Sequence, residues 1–318
     1  MYKEPIFLAP VFKERIWGGK KLHEKFGYNL PSEKTGEAWA IAAHPHGASN
    51  IMNGPLKGKT LMEAWDNYGE LFNKSASQPG TYPLLVKLLD ANADLSVQVH
   101  PNDTYAREVE QMPYGKTECW YVLDAEENAE IILGHHANSK QQLQQYVDNS
   151  EWNQLLRKVP VKRGDFIYVP SGTMHAIGKG ILIVETQQSS DITYRVYDYG
   201  RTDDTGQTRE LHLDKAIEVT NVPHETVTTD KVVKTMDGLT SVRLVTEKYF
   251  TVYHWKLSGQ ARVTLFADFL QISVIHREGK IVTEGNAFTI KQGDHFIMPS
   301  TVDNFELIGD AELIVSHV

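Results

Sequence analysis

Cysteine is nearly absent: Cys119 is the single one in 318 residues. A lone thiol excludes an intrachain disulfide framework and suits a reducing, cytoplasmic setting, with a place in the core as its expected use. Long apolar runs are missing as well. No stretch approaches the roughly 20 apolar residues that a membrane helix needs. The opening "MYKEPIFLAPVFKERIWGG" has its apolar run broken by Pro5 and Pro10 and followed by charge, so it reads as neither signal peptide nor membrane span. Positive charge is in deficit, with 32 Lys and Arg against 41 Asp and Glu and a formal net charge of −9. That balance argues against non-specific affinity for nucleic acid or an anionic membrane, and any anionic ligand must meet local positive charge.

Helical periodicity is scarce too. It is confined to "TLMEAWDNYGELF" (60–72), "SKQQLQQYVDNSEWNQLLRKV" (139–159, two short helices) and "ELHLDKAIEVT" (210–220). Most of the remainder is short alternating or β-branched runs, among them "YPLLVKLLDA", "CWYVLDA", "GILIVETQQ" and "LQISVIH", punctuated by Gly, Pro and Asn/Asp. The expectation is a mainly β protein of sandwich or jelly-roll type with a few added helices.

An internal repeat sharpens this. "RGDFIYVPSGTMHAI" (163–177) is echoed by "QGDHFIMPSTVDNFE" (292–306) at a constant offset of 129 residues, which carries Gly164 onto Gly293, Pro170 onto Pro299 and His175 onto Asn304. Two related barrels explain the echo. The break between them is expected in the Thr-rich "TNVPHETVTTDKVV" (220–233), giving a metal-binding unit over 1–225 with the helical additions, and a degenerate unit without metal ligands over 226–318.

The first copy holds the chemistry. In "LSVQVHP" (95–101) Val97 and Val99 share one strand face while Gln98 and His100 share the other. Glu118 opens the strand "ECWYVL", and His175 follows the Gly-Asp…Pro-Ser turn phrase, which brings it back toward the barrel interior. Two imidazoles, a carboxylate and an amide oxygen make a first shell for a divalent transition metal: zinc, or iron or manganese where positions stay open.

Together "QVHPND", "GKTECWYVL", "GDFIYVPSGTMHAIGKGILIVE" and "QQSSDITYRVYDYGR" resemble the type I mannose-6-phosphate isomerases of the cupin superfamily, in their short bacterial form without an extra helical insertion. The resemblance runs from "RIWGG" (15–19) to the C-terminal strands. It implies two cupin-type jelly-roll barrels, one Zn2+ per chain held by Gln98, His100, Glu118 and His175, and interconversion of mannose 6-phosphate and fructose 6-phosphate. The partner it implies is a small sugar phosphate, and it leaves the oligomeric state open. Arg195 matches the arginine that the family places at the catalytic centre. Its permanent charge suits stabilisation of an enediolate or a phosphate.

The other candidates come from position. Asp191, four residues before Arg195, shares its face if the run is extended, and would orient it or transfer a proton. Lys116 shares a face with Glu118, and beside a cation its ammonium would lose a proton more readily, making it an acid/base candidate. Lys87, a lysine amid leucines, should reach a polar cavity and the substrate. Trp17 is expected to wall the pocket, as the resemblance suggests, or to pack in the core. "HPH" (44–46) and "GHH" (134–136) lie beside turn residues and are left out as solvated, while "GPLKGKT" and "GTMHAIGKG" lack the glycine spacing of a phosphate loop and read as turns. Two rival readings accompany the isomerase: an iron-dependent cupin oxygenase and a non-catalytic sugar-phosphate-binding cupin.

Overall fold

A computed structural model describes residues 2–74, 80–203 and 205–318, and among these strands dominate. A six-stranded antiparallel sheet carries, in order, Phe166–Val169, Glu118–Ala125, Ile181–Gln188, Leu84–Ala91, Thr35–Ile41 and Val11–Gly19. A five-stranded sheet carries Leu156–Pro160, Glu130–His135, His175–Ile177, Val97–Val99 and Tyr194–Tyr197. The two face each other, since Leu89, Trp120, Val122 and Ile183 of the first share one buried cluster with Ile131 and Ile177 of the second.

Period-two alternation explains each strand. In Leu84–Ala91, Leu84, Val86 and Leu88 pack outward against Phe250, Ile297 and Ile314, while Leu89 and Ala91 face the five-stranded sheet. A strand buried on both faces reads as one apolar run. Lys87 lies on the inner parity, which is why a charge there needs a partner. Val97, Val99, Tyr194 and Val196 turn the other way, against Leu143 and Val147 of the Lys140–Asp148 helix and Ala216 of the Leu213–Val219 helix.

The three helical stretches form, with trimmed ends. The first is the helix Leu61–Asn67, capped by Thr60 and Glu63, followed by a 3-10 turn over Gly69–Phe72. The second is two helices, Lys140–Asp148 and Trp152–Leu155, whose tail becomes the strand Leu156–Pro160. Residues 210–212 stay outside the third because the His212 amide donates to the Arg195 carbonyl (2.8 Å). Two one-turn-and-a-half helices, Lys21–Phe26 and Asp103–Glu108, are too short to carry a periodic signal.

The repeat is structural as well as verbal. Phe166–Val169 and His295–Met298 are strands at the same offset, each entered through a glycine at positive φ, 88° at Gly164 and 93° at Gly293. Asp165 Oδ2 accepts from the Lys162 amide at 2.8 Å, and Asp294 Oδ2 from the Lys291 amide at 2.8 Å. Val169 stands opposite Glu118, but Met298 stands opposite Leu270. The carboxylate of the first barrel is thus replaced by a buried leucine in the second, whose interior is filled by Trp255, Leu257, Leu270, Ile272 and Phe305. Near the N-terminus, Ile6–Ala9 pairs with His295–Met298 on one side and Asn50–Ile51 on the other, and so joins the nine-stranded C-terminal sheet.

Candidate metal centre

Sheet register brings the predicted residues into rows. Across the five-stranded sheet His175 stands opposite Gln98, and Gln98 opposite Arg195. Across the facing sheet Glu118 pairs with Gln187, and one step further in Trp120, Glu185, Lys87 and Trp39 form a continuous row. Directly opposed residues share a face, so both rows point into the space between the sheets.

Two backbone carbonyls set the histidine tautomers. His100 Nδ1 donates to the Ile192 carbonyl (2.8 Å) and His175 Nδ1 to the Thr173 carbonyl (2.8 Å). Each neutral ring therefore keeps its lone pair on Nε2. Those nitrogens face Glu118: His175 Nε2 is 3.2 Å from Oε1 and His100 Nε2 is 3.5 Å from Oε2. The three donor atoms lie within 4.8 Å of one another, all three residues are buried, and His175 Nε2 has no hydrogen-bond partner. Converging lone pairs of this kind, backed by carbonyls, fit a divalent metal with His and carboxylate ligands. Gln98, half-buried, lines the adjoining cavity beside His175.

Charge inside the site is strongly organised. Lys116 Nζ bridges Glu118 Oε2 (2.8 Å) and His100 Nε2 (2.9 Å), so its ammonium meets the same lone pairs a cation would take. Burial would raise the Glu118 carboxyl, but the Lys116 ammonium foremost outweighs it, and the group is held well below the usual carboxylate range. Burial pushes His100 down to about 3, with Lys116 adding to the effect, and lowers His175 as well. Glu185 goes the other way, raised by burial and by the Glu118 charge. The sequence reading expected Lys116 to release its proton more easily. Burial acts in that sense, yet the Glu118, Glu185 and Glu37 carboxylates outweigh it and raise the group.

A cavity of about 640 Å³ opens onto this centre, lined among others by Trp17, Lys87, Gln98, Lys116, Glu118, Asp191 and Arg195. Every residue singled out from the sequence therefore either lines it or belongs to the His100, Glu118 and His175 cluster beside it. Trp17 does both things expected of it, walling the cavity while packing in the core with Leu89 and Trp120. Lys87 is held by Glu185 Oε2 (3.0 Å) and Gln187 Oε1 (2.5 Å). Arg195 donates to the Glu210 carbonyl (2.8 Å) and the Ser96 hydroxyl (3.3 Å). Asp191 does not orient Arg195. It precedes the Tyr194–Tyr197 strand, so face parity does not extend to it, and its carboxylate turns to His46 and His44.

Sequence reasoning missed Glu185, Glu37 and Arg15. Glu185 accepts from Trp120 Nε1 (3.2 Å), as does Glu118 (3.1 Å). Glu37 accepts from Trp39 Nε1 (2.6 Å) and Arg15 Nε (2.7 Å). The signal for Glu185 was present, an acid on the inner parity of "ILIVETQQ". "HPH", set aside as solvated, supplies His46 to the cavity and a buried His44.

Paired jelly-roll units, one solid and one holding a buried His/His/Glu cluster beside a charged cavity, define a two-barrel cupin. The model for the phosphomannose isomerase type I catalytic domain matches residues 6–134, and that for the mannose-6-phosphate isomerase cupin domain matches residues 240–318. The chain is 50% identical to mannose-6-phosphate isomerase ManA of Bacillus subtilis, over all of both chains, and 49% identical to mannose-6-phosphate isomerase of Streptococcus mutans, over 99% of this chain and 98% of that one. A crystal structure of the mannose 6-phosphate isomerase from Bacillus subtilis superposes with a TM-score of 0.97 at 49% identity, covering 99% of this chain and all of that one. A structure of a putative mannosephosphate isomerase from Archaeoglobus fulgidus shares the fold at a TM-score of 0.76 and 17% identity, with 100% and 99% coverage. The chain belongs to the type I mannose-6-phosphate isomerase family.

Proposed function

We propose that this protein interconverts mannose 6-phosphate and fructose 6-phosphate in the cytoplasm, with one zinc ion per chain held by Gln98, His100, Glu118 and His175. The observation that carries the reading is the pair of Nε2 lone pairs facing a buried, ionised Glu118 at the end of a cavity whose walls include Lys13 and Arg195. A divalent ion at those residues supplies the positive charge that stabilises the oxyanion developing as a proton moves between C1 and C2.

The remaining work falls to the protein. Lys13 donates to the His46 carbonyl (2.6 Å) and Arg195 to a carbonyl and a hydroxyl, all neutral acceptors, which leaves both positive charges available to a phosphate. Lys116 and Glu185 form an acid/base pair across the inner end: one ammonium and one carboxylate that burial and the Glu118 charge make readier to take up a proton. Trp17 and Trp39 wall the sugar and keep bulk water from the buried end. Charge on the cavity walls favours an anionic sugar over the dioxygen chemistry of an oxygenase.

The direct test is conversion of mannose 6-phosphate to fructose 6-phosphate by the purified protein, with His175→Ala alongside. The reading expects turnover in the wild type and a loss of about a hundredfold or more in the variant, together with its bound metal. A folded, metal-loaded wild type that binds the sugar phosphate without converting it would instead describe a binding cupin.

A further inference from the structure

The hairpin joining Ala43–His44 to Gly47–Ala48 carries two histidines that the reaction as described leaves unused. Their ring centroids are 5.2 Å apart, and both approach Asp191: His46 Nδ1 lies 2.6 Å from Oδ2 and His44 Nε2 lies 3.8 Å from Oδ1. His44 is buried, while the His46 side chain is 70% exposed and lines the cavity. Asp191 is followed by Ile192, whose carbonyl fixes His100, so the cluster stands one residue from an anchor of the metal centre.

Three such groups within 4.8 Å of one another have the spacing of a second cation site. Their hydrogen bonds favour another use. The His46 amide donates to His44 Nδ1 (3.2 Å), which places the proton of the neutral His44 ring on Nε2, the nitrogen facing Asp191. His46 Nδ1 in turn donates to the carboxylate, leaving Nε2 of His46 as the free acceptor of an imidazole at the cavity wall. A carboxylate orienting one ring nitrogen while the other addresses a substrate cavity is the arrangement of an acid/base dyad. The Lys13 ammonium, on the His46 carbonyl, fixes the turn from the opposite side.

We infer that His46, positioned by Asp191, opens the sugar ring before the proton moves between C1 and C2. This rests on the isomerase reading. A hexose 6-phosphate is stored as a cyclic hemiacetal, and only its open chain has the carbonyl the isomerisation requires. His46 Nε2 takes the proton of the anomeric hydroxyl, the O1 electron pair becomes the C1=O π bond, and the C1–O5 bond breaks. The imidazolium so formed delivers its proton to O5, bonded to the same carbon as O1, so the step ends with His46 neutral again and needs no other reactant. Exposure of the ring at the cavity mouth lets that proton exchange with water, while the buried Lys116 and Glu185 remain with the carbon-bound proton.

The test uses the metal-loaded full chain with ordinary and C2-deuterated mannose 6-phosphate. His46→Ala should lose activity by roughly a hundredfold, recover at least about tenfold of it with free imidazole, as intramolecular bases removed from open sites do, and show a deuterium isotope effect no larger than that of the wild type. Asp191→Asn should lower kcat with little change in KM, and should add little to the loss already present in His46→Ala. If His46→Ala does not fold, His46→Gln carries the rate and isotope measurements. A rate within about twofold of wild type, a loss that imidazole leaves unrestored, or an isotope effect larger than wild type would overturn the dyad. Absence of turnover in the wild type itself would take down the isomerase reading, and the dyad with it.

Discussion

Buried charges survive only beside their opposites, and Lys87 with Glu185 is the clearest case in the molecule. Both side chains are almost fully enclosed, 3.0 Å apart. Glu185→Leu leaves the lysine with Gln187 as its remaining hydrogen-bond partner and should destabilise the fold by about 3–5 kcal/mol in urea unfolding, whereas Glu185→Leu with Lys87→Leu should recover most of that loss. A double variant no better than the single one would contradict the pairing. Lys87 was legible as a charge in an apolar run; its partner carried the same signal one strand over. Asp191 was not, because it sits in a loop where no periodicity fixes a side chain's direction. His295, the second barrel's own buried imidazole, makes a pH prediction. It lies between Ser273 Oγ and Tyr28 Oη, 2.8 Å from each, and burial pushes it down to about 3. The unfolded chain takes up that proton near 6.5. The folded state then binds fewer protons over that interval, so this contribution to stability is complete above about 6.5 and is lost as pH falls toward 3, on the order of 5 kcal/mol in all. His295→Gln should flatten that part of the curve of urea midpoint against pH, and superposable curves would contradict the assignment.

The repeated Gly-Asp turn shows how far an element can be read from its letters. Strand, turn glycine and aspartate cap all recur at one offset, because the local geometry needs a positive φ followed by a side-chain acceptor. What lies opposite the strand, Glu118 in one copy and Leu270 in the other, depends on register between distant segments and was visible only as the exchange of His175 for Asn304. The two glycines should respond differently to the same change. A Cβ at Gly164 meets open space, so Gly164→Ala should cost only the left-handed backbone penalty, about 1–2 kcal/mol. At Gly293 a Cβ would also come within 3.2 Å of Tyr28 Oη and 3.3 Å of Phe26 Cβ, and Gly293→Ala should cost more. Equal losses in urea unfolding would contradict this.

At the scale of the whole molecule, connectivity and packing disagree. We propose that the chain divides near residue 225 into a metal-site unit and a degenerate one, yet the first strand, Ile6–Ala9, pairs with His295–Met298 of the second. One buried cluster also joins Leu84, Val86 and Leu88 to Ile297 and Ile314. Intrinsic fluorescence and far-UV circular dichroism should therefore report one coincident unfolding transition, and two separated transitions would contradict a shared core. The short matching segments of the repeat disclosed two barrels. The crossing of the first strand was hidden, because long-range pairing leaves no local pattern.

Metal content and turnover measured on one preparation, as purified, after chelation, and after addition of zinc, test the central assignment most directly. Loss of both metal and conversion of mannose 6-phosphate on chelation, with return of both on adding zinc, is the expected result. Full conversion by a protein freed of metal would contradict it.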